Sequence, residues 1–302
     1  MADFTEPVRR ALAEDRASED VTSALLKARH REDTGTAARR HGTGLAEARF
    51  VAEERVVVCG VPAIVAAVTE LDATAAVTAC AEEGAWAEAG ATIAVASGDA
   101  AALLSAERVA LNFVQRLSGI ATLTRRCVEA VAGTGARITH TRKTTPGLRD
   151  LEIYAVVAGG GVANRASLAG AIMWKDNHWG VLEGEAQRHS GTAAQLLKAT
   201  LARAPQGVEI VVEVESFAQL DAALGAGVRH VLVDNQTPDG LAGFRRRAGP
   251  GVTIQASGGI TLATVRAYAE AGADLIAMGA LTHSAPSVGI RCDITRSTLH
   301  SS

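Results

Sequence analysis

Lys143 and Lys175 are two of only four lysines in a chain whose other 26 basic residues are arginine. Lys143 stands in THTRKTTPGLR (139–149) and Lys175 in IMWKDNHW (172–179), both polar breaks in apolar sequence. Arg142 beside Lys143 offers a planar fork for a carboxylate, and Lys143 a compact charge suited to phosphate. Arg165, after GGGVAN, adds a fourth cation, so an anionic substrate is the expected partner, with a solvated basic face as the alternative. Opposed to these are Glu213 in EVES and Asp234 in VDN. Two carboxylates can hold Mg²⁺, grip sugar hydroxyls or stabilise a developing positive charge. Their plainer reading is as caps of the helices that follow. Ser257, Gly258 and Gly259 in ASGGI, and Gly279 in GAL, let backbone N–H groups approach a phosphate; turn glycines are the alternative. His140 and His178 adjoin the cation clusters, and His178 is expected to orient a neighbour or cap a helix. GxSxG and HExxH are absent, so serine-hydrolase and zinc-protease readings find no support.

The elements that must position these residues alternate regularly. VEIVVEVES, RHVLVDN, GVTIQASGG and ADLIAMGAL read as short apolar strands, with helical segments between them. The spacings are 21 residues from Glu213 to Asp234, 23 on to Ser257 and 22 on to Gly279. Such a beat, with a polar or glycine residue closing each strand, predicts a β/α barrel whose strand ends converge on one site. The competing doubly wound sheet would lack that convergence, and no GxGxxG follows a first strand.

The first third reads differently. Phe4, Val8 and Leu12 recur at helical spacing, and Asp20 precedes a short helix as its cap. ARFVAEERVVVCGV gives two strands, and residues 101–132 give a long helix that Ser118-Gly119 is expected to interrupt. The stretch 32–44 is polar and Gly-rich, and is expected to be a loop.

Composition sets the outer bounds. The 302 residues are 48% hydrophobic with a net charge of −3, which gives no field for nucleic acid or an anionic membrane. No apolar run approaches membrane-span length and the N-terminus lacks a signal core, so a cytoplasmic protein is expected. Cys59, Cys80, Cys127 and Cys292 are far apart and are expected to be buried, reduced thiols.

Taken in order, ERVALNFVQRLSGIAT, TRKTTPGLR, EIYAVVAGGG, KDNH, EVES, VDN, ASGGIT and GALTHSAP closely resemble the quinolinate phosphoribosyltransferases, over nearly the whole chain. That resemblance implies an N-terminal α/β sandwich domain over 1–118, with the 286–302 tail packed on it. Over 119–285 it implies a partial β/α barrel of about seven strands. It implies transfer from phosphoribosyl pyrophosphate to quinolinate with loss of CO₂, dependent on Mg²⁺. It also implies a homodimer with shared sites, with room for higher oligomers.

Carried over by motif, Lys143, Glu213, Asp234, Ser257, Gly258, Gly259 and Gly279 would serve the phosphoribosyl donor, with Glu213 and Asp234 on the metal. Arg142, Arg165 and Lys175 would hold the acid, and Arg108 in AERVALNF would be lent by the neighbouring subunit. Ala163 and Asn164 stand where the family has Asn and His, and His140 where it has Asp. His140 is expected to return a cation that the change at Asn164 removes. These departures keep open a related enzyme acting on another aromatic or heterocyclic acid. A barrel aldolase using Lys143 or Lys175 as a Schiff-base nucleophile, and a non-catalytic binding protein, are the rival readings.

Overall fold

A computed structural model describes residues 2–26, 44–189 and 191–296. The polar stretch at 32–44 lies outside the described residues save for Gly44, as does Lys27. Two compact units emerge. The first joins residues up to 123 with 145–159 and those from 285, and the second joins 124–144 with 160–284.

In the first unit four strands form an antiparallel sheet. They are β1 (Leu45–Ala52), β3 (Ala76–Ala79), β5 (Thr92–Asp99) and β12 (Ile290–Arg296), in the order β12-β1-β5-β3, while β2 (Val56–Val57) and β4 (Trp86–Ala87) pair separately. Ala46, Ala48 and Phe50 alternate inward along β1, the period-two pattern of a sheet with one covered face. The helix Thr5–Glu14 buries Val8 and Leu12 at the expected spacing. Asp20 caps the next helical turn by accepting the Thr22 and Ser23 backbone N–H groups.

The expected division set 1–118 and the 286–302 tail apart from 119–285, whereas the segment 145–159 also joins the first unit. The helix Arg149–Ala158 joins the first unit because its buried side chains find partners there. Tyr154 packs edge-on against Phe4 at 5.4 Å and donates its hydroxyl to Glu83 across 3.0 Å.

The expected break at Ser118-Gly119 does not occur, and one helix runs from Ala100 to Ala130. Ser118 accepts the Cys59 N–H and returns its own proton to the Cys59 carbonyl, both at 3.0 Å. A Cβ at Gly119 would lie 2.0 Å from the Pro286 carbonyl oxygen. The pair therefore serves close backbone approach inside the helix and does not end it.

The second unit holds six parallel strands. They are β6 (Arg137–Thr139), β7 (Ile172–Trp174), β8 (Ile210–Val214), β9 (His230–Asp234), β10 (Thr253–Ser257) and β11 (Leu275–Ala277). Their order is β6-β11-β10-β9-β8-β7, so the last strand of this unit pairs with its first. That closure belongs to a barrel; an open doubly wound sheet would not bring those two together. Of the seven strands expected, one is reduced to a single parallel bridge between Val162 and Thr139.

Register then fixes what faces inward. Glu213 lies beside Leu232, Leu232 beside Gln255, and Asp234 beside Ser257. Residues two apart on one strand share a face, so Leu232 and Gln255 form a layer beneath Asp234 and Ser257. Ser216 and Thr237 cap the following helices through the N–H groups of Gln219 and Gly240. Asp234 is thereby left out of the cap that was its plainer reading.

No helix among the described residues is long and apolar enough to cross a membrane. Cys59 and Cys127 are buried and Cys292 half-buried, but Cys80 is exposed, contrary to expectation. It directly follows β3, a sheet edge with mostly exposed residues, so the apolar sequence around it does not enclose it.

Candidate active site

A cavity of about 280 Å³ opens where the barrel strands of the second unit end. Thr139 closes β6, so His140, Thr141, Arg142 and Lys143 spill into the loop above it and line the wall. Asn164 and Arg165 follow the Val162 bridge, and Lys175 follows β7. Asp234 and Ser257 end their own strands, and Met173, Leu232, Gln255 and Ala277 complete the lining from below. Four cations and one carboxylate thus share one small space.

Two of those cations are held close without an intervening acid. Burial, and then the like charge of Arg142, lower the Arg165 guanidinium from its ordinary value. Arg165 Nη1 donates to the Ala171 carbonyl at 3.3 Å, while the Arg142 Nε is buried and has no hydrogen-bond partner among the described residues. A buried, unanswered donor next to a like charge is a receptor waiting for an anion. Lys143 is exposed at the rim, where Thr282 anchors its backbone by donating to the Lys143 carbonyl across 2.7 Å.

Lys175 and Glu213, expected on opposite sides of the chemistry, are partners. Lys175 Nζ donates to Glu213 Oε2 at 2.6 Å. The Glu213 side chain is 6% exposed against 43% for Lys175, so Glu213 lies under the lysine and takes no part in the cavity wall. Trp179 fixes the same strand end by donating its indole N–H to the Glu213 carbonyl at 2.8 Å. His178 accepts the Lys175 backbone N–H across 2.9 Å, the orienting cap its place in KDNH suggested.

His140 does not return a cation. The Asn164 backbone N–H donates to its Nε2 at 2.9 Å, so that nitrogen must carry a lone pair. Nδ1 then holds the proton and donates to the Thr141 carbonyl at 3.1 Å, leaving a neutral ring. Asn164 in turn accepts the Arg165 N–H on its Oδ1 at 2.7 Å. This short chain from His140 through Asn164 sets the backbone that carries Arg165.

The glycines and Arg108 stand outside the wall. Gly258 has φ +99°, and a Cβ there would lie 2.4 Å from Asn235 Oδ1, so packing alone requires glycine. Gly259 and Gly279 are likewise absent from the lining, and a Cβ at Gly279 would meet the His283 ring at 2.9 Å. Arg108 is exposed on the long helix and lines a separate cavity of the first unit, with Arg116 and Glu152.

A metal would find few protein ligands here. Among the described residues no three His, Cys, Asp or Glu side chains gather into a metal-binding group. Mg²⁺ keeps several waters and needs only one or two carboxylates beside substrate phosphates, so this donor set fits it and fits no all-protein cage. Asp234, on the cavity wall, is the available ligand, and Glu213 becomes one only if Lys175 is drawn away.

Sequence reading missed Gln255, Met173, Leu232, Ala277 and Thr141. The signal for Gln255 was present: a polar residue two positions before Ser257 on one strand shares its inward face.

Comparison with known proteins places this arrangement. Residues 20–118 match the model of the quinolinate phosphoribosyl transferase N-terminal domain, and residues 120–293 that of the C-terminal domain. The chain is 40% identical over 251 residues to a Bacillus subtilis protein named "Probable nicotinate-nucleotide pyrophosphorylase [carboxylating]", covering 83% of this chain and 84% of that one. It is 36% identical over 274 residues to the human nicotinate-nucleotide pyrophosphorylase [carboxylating], covering 88% and 89%. The solved nicotinate-nucleotide pyrophosphorylase from Francisella tularensis is 28% identical, with a TM-score of 0.81 over 97% of this chain and 96% of that one.

Proposed function

The chain belongs to the quinolinate phosphoribosyltransferase family, and on that footing we propose that the cavity of its second unit is where quinolinate and phosphoribosyl pyrophosphate react. The pyridine nitrogen displaces pyrophosphate from the ribose, CO₂ leaves, and nicotinate mononucleotide is formed, a step of NAD biosynthesis. The observation that carries this reading is the wall itself, with Arg142, Lys143, Arg165 and Lys175 set around Asp234.

Each residue then has a physical task. Arg142 and Arg165 take the carboxylates of the flat acid, which aims its ring nitrogen at the anomeric carbon. Lys143, exposed at the rim, neutralises the departing diphosphate, and Ser257 offers it a hydroxyl. As the C–O bond breaks, positive charge grows on the ribose and faces the Asp234 carboxylate. The new C–N bond leaves the pyridine nitrogen positive. That charge stabilises the carbanion formed when the adjacent carboxylate leaves as CO₂, and a proton from water completes the ring. Mg²⁺, when bound at Asp234, would gather the diphosphate charge.

The enzyme works as a homodimer in this reading, with Arg108 reaching the partner's cavity. Arg108 supports it by being exposed and absent from the wall of its own chain's cavity. The deciding experiment is turnover of quinolinate with phosphoribosyl pyrophosphate and Mg²⁺, following pyrophosphate and CO₂ together. Equimolar release is expected. Absence of both, with quinolinate and every pyridine monocarboxylate offered, would overturn the assignment.

A further inference from the structure

Gln255 is 1% exposed, yet its side chain reaches the cavity. It sits on β10 one inward step beneath Ser257, in register with Leu232. The rest of that floor is carbon, from Met173, Leu232 and Ala277. A primary amide among carbon is costly unless both of its ends are satisfied.

One end is satisfied by a relay from outside the barrel. Glu209, 60% exposed beside the start of β8, meets His230 Nδ1 at 2.8 Å. His230 Nε2 lies 3.0 Å from Gln255 Oε1. The amide oxygen is the atom that faces His230 Nε2, which leaves the amide nitrogen turned toward the cavity. That nitrogen has no partner among the described residues. Two N–H bonds on a side chain 99% buried are thus left to whatever fills the floor.

We propose that Gln255 contacts the acceptor, donating from its amide nitrogen to a carboxylate oxygen of the bound pyridine acid, and that the Glu209–His230 pair is the positioning device that fixes which end of the amide faces in. The inference rests on the phosphoribosyl transfer proposed above and names a specificity residue within it. The acid is the occupant because a carbon floor suits a flat ring, whereas the charged rim suits the diphosphate. A neutral donor there also selects geometry without adding to the charge that Arg142 and Arg165 already supply.

The test is steady-state kinetics on the full-length enzyme, varying quinolinate and phosphoribosyl pyrophosphate separately. Gln255→Leu and Gln255→Met are both made, so that one fold-disrupting change does not decide the matter. Either should raise the quinolinate KM about 10-fold or more, the loss of a hydrogen bond to a charged group. The phosphoribosyl pyrophosphate KM should stay constant and kcat should change less than about threefold. His230→Phe should move the quinolinate KM in the same direction, and adding it to Gln255→Leu should change nothing further. An unmoved quinolinate KM, a moved phosphoribosyl pyrophosphate KM, or fully additive effects would each overturn the proposal. Wild-type enzyme without turnover would instead remove the reaction on which it rests.

Discussion

Glu213 lies buried beneath Lys175, its carboxylate 2.6 Å from the ammonium, while the lysine stays 43% exposed. The asymmetry predicts unequal costs of breaking one pair. Lys175→Met strands a buried carboxylate and should destabilise the protein by about 1–3 kcal/mol. Glu213→Gln leaves the half-exposed lysine to water and should cost less than about 1 kcal/mol. Urea denaturation midpoints compare the two, and equal shifts would mean the pair is not seated as described.

Lys143 and Lys198 are both exposed lysines, but only Lys143 lines the cavity. Lys143→Ala should lower kcat/KM about 100- to 1,000-fold, the usual cost of removing one fixed charge from a transition state. Lys198→Ala, on the helix Ala193–Leu201, should leave it unchanged. Parallel assays of the two variants settle whether location or charge alone matters.

Arg165 is depressed in basicity by burial and by Arg142. Arg165→Lys keeps the charge but loses the planar fork, so the quinolinate KM should rise about 10- to 100-fold while kcat changes little. A fall in kcat with KM constant would place Arg165 at the ribose.

Arg108→Ala and Lys143→Ala should each be nearly inactive alone. If protomers share sites, mixing and re-annealing them restores one intact cavity per mixed dimer, up to about a quarter of wild-type activity for random exchange. Activity no higher than that of either parent would exclude sharing through Arg108.

The thiols divide sharply. Burial pushes Cys127 up to about 12, and burial with Glu107 and Asp293 does the same to Cys292. Cys59 is driven well above its ordinary value by burial and Glu83. At pH 8, below all three, these thiols stay protonated and unreactive. Iodoacetamide on the native protein should therefore add one group, at Cys80, as read by intact and peptide mass spectrometry.

Much of this was legible from the residues in order. The strand beat from Glu213 to Gly279 gave the barrel, because inward and outward faces alternate with a period that spacing records. The gathering of Arg142, Lys143, Arg165 and Lys175 around Asp234 followed from their place after strand ends. Other features were hidden because they depend on who meets whom across space. Ser118-Gly119 reads as a helix breaker until Cys59 and Pro286 are set against it. Glu213 reads as a free acid until Lys175 closes over it, and His140 as a cation until the Asn164 amide claims its lone pair. The first unit's claim on Arg149–Ala158 likewise waits on Phe4 and Glu83, far away in sequence.

Where six strands have full ladders, the seventh is one bridge at Val162, and Ala163, Asn164 and Arg165 come directly after it. Asn164 and Arg165 therefore reach the cavity wall on backbone that owes almost nothing to sheet hydrogen bonding. Substitutions along such a seam should reshape the cavity wall without unzipping the ladders beside it.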